Sequence, residues 1–89
     1  MKKTINKYGN EIYLRQLVWY LNAPFMVRRI YRDKTGTVKL ELQTAINVTY
    51  YPSGSLSGFE TIKSDDDVVV KATDVLINKP KSKYRGEVK

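Results

Sequence analysis

Residues 25–44, FMVRRIYRDKTGTVKLELQT, alternate apolar and polar positions on either side of a turn sequence, and the pattern predicts a β-hairpin. Asp33-Lys34-Thr35-Gly36 suits a type I turn, with glycine where a left-handed residue is needed. With those residues as the loop, Arg32 faces Thr37 and every later pair follows by counting outward. One face then holds Phe25, Val27 and Tyr31 opposite Thr44, Leu42 and Val38, with Arg29 opposite Leu40. The other holds Arg28 opposite Glu41, Ile30 opposite Lys39 and Met26 opposite Gln43. The apolar face is the predicted core. Arg29 is its one misfit, because an ionised group in register with a core is costly unless it is paired or reaches the rim.

The same parity continues through Val38, Leu40, Leu42, Thr44, Ile46, Val48 and Tyr50 with no Gly or Pro between them. A straight strand of about 14 residues would be about 46 Å long, against a radius of gyration of about 13 Å for a domain this size, so a bend is expected near Thr44-Ala45 with each half serving its own part of the sheet. Upstream, Asn10 suits a helix N-cap, and Tyr13, Leu14, Leu17, Val18 and Leu21 fall at helical spacing up to Pro24. A helix is predicted there, with strands after a Gly9-Asn10 turn as the alternative; strand alternation would place Arg15 in line with Leu17, Trp19 and Leu21. Residues 1–9 suit an edge strand or a loose arm.

Downstream, residues 52–58 read as a loop, Phe59 to Lys63 as a short strand, Ser64 to Asp67 as a turn and Val68 to Lys71 as the most β-prone run. Ala72 to Asn78 suggest a tight turn and a last short strand. That ending is similar to the end of SH3-like barrels over about ten residues, a likeness that implies nothing about activity. The expected architecture is α+β: one N-terminal helix packed on a small, strongly bent antiparallel sheet, a partly closed SH3-like barrel, in a single domain of residues 1–78 with a basic, disordered tail at 79–89.

Composition narrows the chemistry. Cysteine and histidine are both absent from the 89 residues, which removes thiolate zinc sites, the cysteine nucleophile and the commonest general base together. No enzyme, metal or cofactor is expected. Asp65-Asp66-Asp67 lacks the other ligands of a calcium loop and reads as a solvated turn. Met1-Lys2-Lys3 opens like a signal peptide but no apolar stretch follows, and no run approaches the ~20 residues of a membrane span, so a cytoplasmic protein without a membrane partner is expected.

The net charge is +7, of which residues 79–89 hold +4 and the remainder +3. Basic groups gather on the hairpin as Arg28, Arg29, Arg32, Lys34 and Lys39, and in the tail as Lys79, Lys81, Lys83 and Arg85 beside Tyr84. Basic groups on one surface with aromatics able to stack on bases point to nucleic acid. The bland account is a solvated face, with Arg28 engaged by Glu41. The expected function is a non-enzymatic, basic nucleic-acid-binding accessory protein; a composition rich in Lys, Ile, Asn and Tyr suggests a phage or mobile element. The alternative is a small protein-binding module that inhibits or recruits a larger host protein.

Overall fold

The computed structural model describes residues 1–63 and 67–80. Among them the chain is nearly all β: β1 (Lys3–Ile5), β2 (Glu11–Tyr13), β3 (Leu17–Tyr20), β4 (Ala23–Arg32), β5 (Val38–Tyr50), β6 (Leu56–Thr61) and β7 (Val68–Lys71), followed by a 3-10 turn at Ala72–Asp74. β1 and β2 pair with each other. The main sheet runs β3-β4-β5-β6, and β7 also pairs with β5; every pairing is antiparallel.

The predicted helix is absent, so the fold is not α+β. Residues 10–22 instead form β2, a turn, β3 and a two-residue hairpin loop. Ile12, Tyr13, Val18, Trp19 and Tyr20 are β-branched or aromatic and lose side-chain freedom in a helix, so the segment gains more from a sheet that buries Ile12, Val18 and Trp19. Arg15, the obstacle to a strand, lies in the turn with φ 68°, which restarts the alternation. Leu21 and Asn22 have φ of 51° and 65°, the paired positive values of a type I′ hairpin turn. Asn10 caps no helix. It closes the β1–β2 turn, where the side-chain oxygen of buried Asn6 accepts the amides of Tyr8 and Asn10, at 2.9 and 3.0 Å. The Asn6 amide group donates in turn to the Val75 carbonyl at 3.1 Å.

In the long hairpin, the pairs Phe25–Thr44, Met26–Gln43 and Val27–Leu42 are those expected, but from Arg29 to the turn the partners are shifted by one: Arg29–Glu41, Ile30–Leu40, Tyr31–Lys39 and Arg32–Val38. The loop takes in Thr37 as well, because the Asp33 carboxylate accepts the amides of Thr35 and Thr37 and the Thr35 hydroxyl, while Gly36 supplies φ 86°. A one-residue slip would turn every side chain over. A β-bulge at Arg28 absorbs it, and the bulge removes the misfit: Ile30 enters the core and Arg29 faces solvent.

β5 does serve two parts of the sheet. Its first half lies between β4 and β7, and its second half pairs with β6 through two register shifts, one of them beside Asn47 at φ 53°. The molecule is 48 Å along its longest axis, so a strand of this length needs no sharp bend to fit. After the 3-10 turn the chain crosses to the other side of β3, where Trp19 and Leu76 exchange backbone hydrogen bonds of 2.8 and 2.9 Å. The expected closing turn is therefore present, but among the described residues the sheets are not closed into a barrel.

The main core, Ile12, Val18, Val27, Ile30, Leu40, Leu42, Val70, Ala72 and Val75, fills one face of the sheet. Leu17, Trp19 and Ala45 form a smaller cluster with Val48, Phe59 and Leu76 on the other. Tyr13 and Tyr50 are exposed. The tail residues from Lys81 onward, and with them its expected disorder, lie outside the described residues, as do Asp65 and Asp66.

Candidate nucleic-acid interface

The register sets which groups share a surface. On β4, β5 and β7 the inward row is Ile30–Leu40–Val70, so the neighbouring rows, Tyr31–Lys39–Lys71 and Arg29–Glu41–Val69, face outward. This outer face collects three cations, one carboxylate and one aromatic ring. Arg29 bonds Glu41 at 2.8 Å, with its guanidinium 4.7 Å from the centre of the Tyr31 ring. Lys39 lies 3.6 Å from Asp33, whose carboxyl is held below its ordinary pKa first by the Thr35 hydroxyl and then by backbone amides and the lysine charge.

Lys71 lies directly opposite Lys39. Like charges at opposed positions of neighbouring strands destabilise a sheet, and an anion bridging the pair would reverse the sign of that interaction. Sequence reasoning missed Lys71 because its position depends on which strand lies beside β5. The signal available was the VVVK run itself, whose lysine shares parity with an apolar residue only when one strand face is uncovered.

The other predicted site residues are dispersed. Arg28 sits in the bulge and forms an ion pair with Asp67, so its expected pairing with Glu41 is replaced: Glu41 binds Arg29. Arg32 has the parity of the core face, and its guanidinium donates to the Gly36 carbonyl at 2.7 Å. Lys34 is exposed at the turn, with no hydrogen-bond or ion-pair partner among the described residues. Lys79 is far along the chain, its ammonium 6.0 Å from the Trp19 ring centre. Lys81, Lys83, Tyr84 and Arg85 lie outside the described residues.

The ion pairs reduce the hairpin's free charge without sealing it. Arg29 and Arg28 are more than half exposed in their side chains, and pairs of that kind contribute roughly 0–1 kcal/mol each, little enough for a phosphate to displace. Among the described residues no cluster of carboxylates could hold a metal ion, every buried side-chain polar atom has a partner, and no helix is long and apolar enough to cross a membrane. Comparison with known protein families, with curated proteins and with solved structures returns no match.

Proposed function

We propose that the protein is a small, non-enzymatic nucleic-acid-binding accessory protein that receives a single strand on the outer face of its sheet, acting in the cytoplasm for a phage or mobile element. The observation that carries this reading is the placing of Lys71 opposite Lys39, in the row that also holds Tyr31 and beside the row that holds Arg29. An antiparallel face with cations and a half-buried ring accepts phosphates by charge and a base by stacking, without base-edge readout. Lys79 and the basic residues after it extend the positive charge of the chain.

Fluorescence anisotropy of a labelled single-stranded oligonucleotide tests it. Binding should weaken with salt at about 0.7 in the log–log slope per neutralised phosphate, and removal of residues 79–89 should lower that slope. Absence of binding at low salt would overturn the proposal.

A second reading, a protein-binding module, is favoured by β7. Its Val68 and Val69 are exposed, and among the described residues it pairs with β5 alone, leaving an edge to which a partner strand could add. A pull-down with and without nuclease separates the two: capture lost on nuclease treatment supports nucleic acid, and nuclease-resistant capture of one protein supports the module.

A further inference from the structure

The outer face does not end at the basic rows. Along β5 the outward positions run Lys39, Glu41, Gln43, Ala45, and Ala45 belongs to the small cluster with Leu17 and Trp19. The basic rows and that cluster therefore lie on the same side of the sheet. Beyond the cluster, β3 meets the loop before β6 and the segment after the 3-10 turn, and the surface folds into a cleft of about 250 Å³. Leu17, Leu56 and Ile77 supply its apolar walls, Trp19 and Tyr50 its rings, and Lys79 its charge.

Size and polarity together restrict the occupant. Pockets for drug-sized ligands run from about 300 to 1,000 Å³, so this cleft admits roughly one ring system. Gln16 and Asn78 also border it. The Gln16 side-chain oxygen accepts the Tyr13 amide at 2.7 Å, which leaves its amide hydrogens as donors. Apolar walls, two rings, amide groups and one cation together suit a planar heterocycle carrying an anion.

We infer that the cleft takes a single unpaired base of a bound strand, with the adjoining phosphate against Lys79. The inference rests on the nucleic-acid reading of the sheet face and adds to it a defined subsite. In the free protein, Lys79 lies against the Trp19 ring, so a base that enters displaces or reorders that contact. Trp19 is the only tryptophan in the chain, and its emission reports on the cleft directly.

The test titrates the full chain with a fluorophore-labelled oligothymidylate while Trp19 emission and anisotropy are followed together. An abasic oligonucleotide of the same length, thymidine monophosphate and inorganic phosphate are run as separate arms. The oligothymidylate should quench Trp19 saturably, in step with the anisotropy; the abasic strand should bind more weakly and leave the emission unchanged. Tyr50→Ala should weaken oligothymidylate binding about 5- to 150-fold, the range for losing one stacked base. Leu56→Ser, a second variant at an exposed wall position, should weaken it in the same direction, and keeps the test valid if Tyr50→Ala does not fold.

Binding by anisotropy with unchanged Trp19 emission, and with wild-type affinity in both variants, overturns the subsite and leaves the sheet-face reading standing. No binding of any oligonucleotide at low salt overturns both. Quenching by the monophosphate at the same concentration as by the oligonucleotide would assign the cleft to a free nucleotide and overturn the strand.

Discussion

β5 is built from one alternating run of residues, yet its two halves behave differently. Residues 38–44 have β4 on one edge, residues 39–42 have β7 on the other, and Leu40 and Leu42 are sealed in the main core. Residues 45–50 pair with β6 through two register shifts, and only Ala45 is buried. Alternation sets which face a side chain takes; burial requires neighbours on both edges and a layer above. A long apolar rhythm is thus a statement about geometry, and it becomes a statement about stability only where other strands cover it.

Single-residue deletions probe that difference most severely. Loss of Lys39 from the regular ladder should turn Val38 or Leu40 out of the core and unfold the protein. Loss of Asn47 should be tolerated, because it removes the extra residue between the pairs Ile46–Glu60 and Thr49–Gly58 and leaves both flanks in register. Circular dichroism and urea unfolding distinguish the outcomes, and equal damage from both deletions would abolish the distinction between the halves. Next in size, Leu42→Ala should cost about 2–5 kcal/mol, whereas Val48→Ala, at a half-buried position, should cost about 1 kcal/mol or less in the same urea titration.

A smaller effect separates stability from binding on the outer face of the first half. Lys71→Glu converts an opposed pair of lysines into an ion pair, and should stabilise the free protein by roughly 0.2–1 kcal/mol. The same change should weaken oligonucleotide binding and reduce its salt dependence. Parallel losses of both would mean that Lys71 is structural. The smallest effect concerns the turn that leads into β5. The folded pKa of Asp33 is depressed, so its contribution is complete above the unfolded carboxylate value of about 3.9 and is lost as pH falls through the folded value. The Thr35 and Thr37 amide resonances should therefore move with acid below about pH 4, while those of β3, which carries no carboxylate, stay in place.

These contrasts also show how far the chain could be read in advance. The hairpin of residues 25–44 was legible, as were its pairs farthest from the turn, the β7 strand and the turn at Ala72, because each is written in adjacent residues. The bulge at Arg28 was not. It leaves no mark of its own in composition and exists because Thr37 joined the loop, so an Arg that looked misplaced was the visible trace of an unseen register change. The turn at Leu21-Asn22 was hidden for a different reason: leucine pays about 1–2 kcal/mol in the left-handed region, and only the burial of Val18 and Trp19 on the adjoining strand justifies it. The cleft joins residues from three separate stretches, near positions 16, 54 and 78, which no local pattern connects.

Asn6 adds a temporal consequence. Its amide fixes the first turn through Tyr8 and Asn10, but its remaining bond is to Val75, 69 residues later. The first hairpin can form early, yet it cannot be locked until the last turn arrives, and the Trp19–Leu76 bridge imposes the same wait. Contacts of such long sequence separation slow folding, because the entropy of closing the loop is lost before the contact repays it. A nascent chain released short of residue 75 would therefore hold the central hairpin with its first strands unlatched, and completion of the fold falls to Val75 and Leu76.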